Sequence, residues 1–412
     1  MKKALSTVKK EYASEKTIDI EKNFYHFIGR KTNDQKYRMD KKDLSSFGSR
    51  FRIITAWFLG MAFLVAALNG CGSSASSVNF DAVIFEFNVS DLPTTFTSAD
   101  VPYMSEEAVF DEIGGMAGHH AATLTIFADG EMLAAWYSYS GEHELSGSAI
   151  YRSRKKIGQP WETPKLHVDH SDGDGNPVLY SENDHVWLFQ AVVPGGWDTS
   201  HIEVQESSDR GVNWGEAARV GQWMGYNVKY PPVRLNDGSL LLPAYSELSE
   251  GSVFFVSANG TNWTKRSSVA SSPQNSQPSF VQLSADRLLS VMRNEDAGYL
   301  WVMASDNSGQ TWSSPKNSGF LNPASATQMI RLANGHLALI YNDSSTERRP
   351  LLIALSADEG RTWPYRKILK EGDDTYSYPF AVQGPDGMIH LLYSLNRDKI
   401  MHITLNEAWV FL

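Results

Sequence analysis

Thiols are almost missing from this chain: a single cysteine, Cys71, stands among 412 residues. That excludes a disulfide framework and cysteine catalysis in the folded part. There is no glycine-rich phosphate loop, Walker motif or nucleophile elbow, which argues against nucleotide and α/β-hydrolase chemistry. Long amphipathic helical patterns are also lacking. The main uncharged apolar run, residues 53–68, has 16 residues, short of the roughly 20 that span a bilayer. Positive charge is scarce in most of the chain. The net charge is −10, yet residues 1–70 hold 14 Lys and Arg against 7 Asp and Glu, leaving 23 against 40 in the remainder. So acidic a body is not expected to bind nucleic acid.

The position of Cys71 is informative. It follows the apolar run, which is preceded by Lys41, Lys42, Arg50 and Arg52, a charged segment leading into a hydrophobic one. With Leu68, Asn69 and Gly70 immediately before it, Cys71 resembles the lipobox of bacterial lipoproteins. That resemblance implies export, lipidation of Cys71 and a membrane partner through the lipid anchor. A signal-anchor helix is the alternative. Met39 is a possible true start. The expected division is an N-terminal extension and signal peptide over 1–71, a tether and lead-in strand over 72–104, and one domain over 105–412.

Glycine and aromatics are plentiful, with 31 Gly and 12 Trp. The segment SADEGRTW (356–363) is matched by SSDRGVNW (207–214) and by SDNSGQTW (305–312), with weaker copies at 257–263 and 153–161. Their tryptophans fall at 161, 214, 263, 312 and 363, close to 50 residues apart. Six turn pairs repeat with the same period: Asp129-Gly130, Asn183-Asp184, Asp237-Gly238, Asp286-Arg287, Asn334-Gly335 and Asp386-Gly387. Each precedes an apolar strand. Units of this length, built of several short strands, predict an all-β, six-bladed β-propeller.

The repeated segment has a structural logic: Asp or Asn accepts backbone hydrogen bonds in a tight turn, Gly takes the left-handed backbone, and Trp packs between blades. In this respect the sequence resembles the sialidase superfamily, whose blades carry the same "Asp box". Catalytic groups are then expected where the innermost strands converge. Counting back from the turn pairs gives a polar ring of His120, Asn176, Lys229, Gln277, Ser325 and Tyr378. Proline follows Asn176, Gln277 and Tyr378 and is expected to hold them extended.

The family resemblance implies roles for particular residues. Tyr378, with Tyr376 as an alternative, falls on the tyrosine nucleophile, and Arg293 and Arg349 on two arginines of a carboxylate clamp. Glu144 and Glu142 lie in the region of the acid/base residue. Lys229, Asn176 and Gln277 are expected to contact substrate. Two positions depart from the family pattern: His120 stands where the first arginine is expected, and Gln277 where a glutamate activates the tyrosine. The expected activity is an exo-glycosidase removing a terminal acidic sugar, sialic acid or a relative, from glycans. One alternative is a lyase or glucuronidase acting on uronic acids, with His120 and Tyr378 as base and acid. The other is a non-catalytic glycan-binding propeller on the cell surface. No cofactor or metal is expected; His167 and His170, in HVDHSDGDG, read as part of a solvated acidic loop.

Overall fold

The computed structural model describes residues 100–412 except 142, 146, 222, 223, 285 and 412. Cys71 and the signal segment lie outside the described residues, as does Glu142. Six antiparallel sheets follow one another along the chain. Blade 1 contains Gly118–Ile126, Met132–Tyr139, Ala149–Lys155 and Lys165–Val168. Blades 2 to 5 begin at Asp174, Tyr226, Asn275 and Gln328, and blade 6 at Tyr376. The last blade takes its outermost strand from the other end of the domain: Met104–Ala108 pairs antiparallel with Lys399–Leu405, setting Met104 opposite Leu405. This closes the circle without leaving the sheet an open edge there.

The six predicted turn pairs all join the first and second strands of a blade. The repeated Ser-x-Asp-x-Gly segments form the turns between third and fourth strands. In blade 5 the Asp358 carboxylate accepts the Thr362 amide at 2.8 Å, the Ser356 hydroxyl accepts the Gly360 amide at 2.9 Å, and the Trp363 indole donates to the Gly360 carbonyl at 3.0 Å. The same bonds recur at Asp209, Gly211 and Trp214. Asn259 serves as the acceptor in blade 3 and Asn307 in blade 4, because the turn uses an oxygen acceptor and not a charge. Glycine is required by packing as well as by its backbone: at Gly360, with φ of 85°, a Cβ would lie 2.7 Å from Leu289 of blade 4. Trp363 is fully buried and meets Phe320 edge-on, with centroids 5.7 Å apart. In blades 2 to 5 the box thus fastens each blade to the preceding one.

At the other end the inner strands carry a shared irregularity. In blades 1, 2, 4 and 6 the ladder skips two residues, after His120, Gly175, Ser276 and Ser377. The first skipped residue is left-handed each time: Ala121, Asn176, Gln277 and Tyr378 have φ of 54°, 44°, 49° and 57°. The extended conformation expected before Pro177, Pro278 and Pro379 is therefore not adopted. A bulge outcompetes the pre-proline preference here and turns the side chain toward the axis, at a cost on the order of 1–2 kcal/mol per residue.

Candidate functional site

Antiparallel alternation places the loop between second and third strands at the same end as these bulges. Each blade's loop contributes one side chain to a cavity of about 300 Å³: Glu144, Trp197, Glu247, Glu295, Arg348 and Arg397, in blade order. Tyr137, Tyr245 and Arg293 come from the second strands, and Asn176, Gln277 and Tyr378 from the bulges.

Tyr378 is the hub. Its hydroxyl accepts from the Gln277 amide at 3.0 Å and from Arg293 at 3.4 Å. The Arg348 guanidinium carbon lies 5.4 Å from its ring centroid. Arg293 pairs with Glu295 at 3.0 Å and Arg397 with Glu144 at 2.7 Å. Arg348 donates only to the Ala324 carbonyl, at 3.4 Å, and has no carboxylate partner among the described residues. Three guanidiniums thus share one small cavity. Glu144 also accepts from the Tyr137 hydroxyl at 3.3 Å and the Trp197 indole at 3.2 Å, which fixes its carboxylate at the wall. Burial, reinforced by nearby Glu295, pushes the Glu247 carboxyl up to about 6. Burial likewise raises the Tyr137 and Tyr245 phenols well above their usual range.

The structure brings Tyr378, Glu144, Arg293, Gln277 and Asn176 together. Asn176 donates to Asn227 at 3.0 Å and to Tyr245 at 3.3 Å. It does not bring the others. Arg349 points away from the cavity, held by Glu347 at 2.9 Å and the Asp373 carbonyl at 2.5 Å, and its neighbour Arg348 takes the inward place. Tyr376 lies in the core against Tyr393, its hydroxyl donating to the Glu371 carbonyl at 2.7 Å. His120 precedes the bulge by one residue, so its side chain goes beneath the cavity floor. There it is fully buried, bonded to Ser394 at 2.9 Å and packed on the Tyr378 ring at 4.2 Å. Burial, then the nearby Arg397, Arg348 and Lys229, holds its imidazole well below the usual range. Ser325 follows the left-handed Ala324 and is likewise buried off the wall. Lys229 is buried among Tyr230, Tyr378 and Phe380, 5.4 to 5.6 Å from their rings, and burial lowers its amine to about 7. His170 is bonded to Asp174 at 2.7 Å. No group of three or more His, Cys, Asp or Glu is placed to hold a metal among the described residues.

Sequence reading missed Arg348, Arg397, Glu247 and Glu295. The signal was available: each lies in the loop between a second and a third strand, about one repeat period from the next.

The BNR repeat-like domain family matches residues 130–391. The chain belongs to this family. As a sialidase-like BNR propeller it is 22% identical to a sialidase of Micromonospora viridifaciens, over 75% of this chain and 54% of that protein; it spans about half the relative's length. Among solved structures, the Hadza microbial sialidase Hz136 superposes with a TM-score of 0.63 at 18% identity, covering 72% of this chain and 67% of that one. The NanB sialidase of Streptococcus pneumoniae gives 0.64 at 13%, over 74% of this chain and 71% of that one. A leech intramolecular trans-sialidase gives 0.64 at 14%, with the same two coverages. At these identities the superpositions establish the propeller fold of this BNR protein.

Proposed function

We propose that this chain is a sialidase-type exo-glycosidase that removes a terminal acidic sugar from a glycan. The observation that carries the reading is the convergence of Arg293, Arg348 and Arg397 on one cavity with the Tyr378 hydroxyl and the Glu144 carboxylate. Guanidinium binds carboxylate through paired, charge-assisted hydrogen bonds, so three of them select an anionic sugar. A volume of about 300 Å³ lies at the lower limit of small-molecule sites, which suits one sugar unit at a chain end.

In this reading the Tyr378 oxygen bonds to the anomeric carbon as the bond to the leaving oxygen breaks. A phenol suits a carbon that bears a carboxylate, since an anionic nucleophile would be repelled by it. In the same reading the sugar carboxylate draws Arg397 away from Glu144, which then takes up a proton and gives it to the leaving oxygen. Water then attacks the same carbon, returns a proton to Glu144 and frees Tyr378. The phenolic proton must end on a carboxylate, and Glu247 and Glu295 are the acids on that wall. The proposal extends to an exported lipoprotein anchored at Cys71, a proposal checked by labelling cells with a radioactive fatty acid.

A second reading, binding without turnover, is favoured by Gln277. An amide cannot take the phenolic proton, and with Gln277 and Arg293 both donating to its oxygen, Tyr378 is left to donate its own O–H to a ligand. The uronate-elimination reading loses its base, because His120 is buried off the cavity wall. Offering the protein a fluorogenic sialoside beside a panel of uronate polysaccharides tests all three. Released fluorophore supports the glycosidase. Ultraviolet absorbance from an unsaturated product supports elimination. Saturable binding of free acidic sugar with neither signal supports the binder.

A further inference from the structure

The opposite end of the propeller, where the turn pairs lie, holds a second cavity of about 560 Å³ between blades 1 and 6. Its wall includes His390, His402 and Thr404, from the second and third strands of blade 6. Thr404 stands directly opposite His390 in the ladder, and His402 is two residues before it on the same face.

Three atoms form a nearly equilateral triangle. His390 Nδ1 is 3.1 Å from His402 Nε2, and the Thr404 hydroxyl is 3.4 Å from each of them. These edges match one face of a tetrahedral coordination sphere: an ion ~2.1 Å from all three atoms would stand about 1 Å out of their plane. The remaining ring nitrogens are aimed at carboxylates. His402 Nδ1 meets Glu107 at 3.1 Å, and His390 Nε2 lies 3.6 Å from Asp386. A carboxylate behind an imidazole fixes the tautomer that leaves the opposite nitrogen free as a lone-pair donor, the arrangement found around ligating histidines. Here Glu107 does so for His402, while Asp386 stands near His390 beyond hydrogen-bond reach; the two rings lie within 20° of parallel, with their other nitrogens facing each other. Glu107 also binds Lys155 of blade 1, at 2.7 Å.

We propose that His390 Nδ1, His402 Nε2 and the Thr404 hydroxyl form a seat for a first-row divalent cation of the zinc or copper kind, with water from the cavity in the fourth position. Imidazole donors suit these ions, and a single neutral hydroxyl makes the seat weaker than a three-histidine site. Glu107 belongs to the strand that closes the circle, facing His402 in the ladder. Cation binding would therefore fasten the first strand of the domain to the last blade, far from the candidate glycosidase cavity.

The test uses the full chain, stripped with a chelator and dialysed against zinc chloride, with cobalt chloride as a spectroscopic substitute. The expected result is one zinc per chain, visible absorption bands of tetrahedral cobalt, and a higher melting temperature with zinc. Substituting His402→Asn or His390→Asn should remove both the uptake and the shift, and Glu107→Gln should weaken uptake ~10-fold. Circular dichroism verifies that the variants fold. The absence of saturable uptake at millimolar zinc would overturn the proposal, leaving the two rings as a simple hydrogen-bonded pair. So would uptake that is unchanged in both histidine variants.

Discussion

Replacing Gln277 with Glu is the sharpest probe of the proposed chemistry. Gln277 is buried, with its Nε2 3.0 Å from the Tyr378 oxygen. A carboxylate oxygen in that place would take the phenolic proton directly, which the amide cannot do. General-base assistance is worth ~10²- to 10⁴-fold in rate, so turnover of a fluorogenic sialoside should rise by about that factor, with KM changing less than kcat. Arg293, 3.4 Å from the same hydroxyl, would neutralise the new charge, limiting the loss of stability to about 1–3 kcal/mol. The left-handed backbone at this position, φ 49°, suits Glu no worse than Gln. The rate should acquire a new acidic limb as the carboxylate titrates, and adding Tyr378→Phe should abolish the gain. If Gln277→Glu folds, still binds the free acidic sugar and shows no increase in kcat, then Tyr378 is not a nucleophile waiting for a base, and the binding reading stands.

The two adjacent arginines should separate. Arg348→Ala should weaken acidic-sugar binding at least ~10-fold by calorimetry, the loss of a charge-assisted pair, while Arg349→Ala, whose ion pairs are exposed, should leave affinity unchanged. Trp363→Ala should lower stability by about 3–5 kcal/mol in urea unfolding, because it empties the joint between blades 4 and 5 without touching the cavity. Glu247 should make stability depend on pH. Its carboxyl is raised from 4.5 to about 6 in the folded protein, so the folded form holds the proton more tightly. Stability should therefore fall as pH rises from 4.5 to 6, by about 2 kcal/mol. Glu247→Gln should remove that slope in unfolding curves taken across the window, and an unchanged slope would contradict it.

The blade count was legible because it is written twice, in the spacing of the tryptophans and in the turn pairs, and both are local backbone signals. Tyr378 and Gln277 were legible for a related reason: in four of the blades a bulge stands seven to nine residues before the turn. The position of His120 was not, because counting along a strand cannot reveal that blade 1 places Ala121 at the bulge. One residue of offset sends a side chain to the opposite face of a strand, and an imidazole read as a wall group becomes a support under the Tyr378 ring. Arg349 and Arg348 differ by the same single step. Arg397 keeps the repeat period, but the period does not show its neighbours: it belongs to blade 6 yet sits beside blade 1, its carbonyl accepting the His119 amide at 2.6 Å. Only the closure of the circle makes those two blades neighbours.

The turns that fasten blade to blade and the loops that line the arginine-bearing cavity emerge from opposite rims. A substitution in any of the six loops, even one that exchanges a glutamate for an arginine, leaves the joints made by the Ser-x-Asp-x-Gly turns unaltered. A scaffold divided in this way can acquire, lose or regain an activity by small steps on one rim while its rigidity is maintained from the other. That is how glutamine can stand beside Tyr378 in a propeller whose blades are otherwise sound.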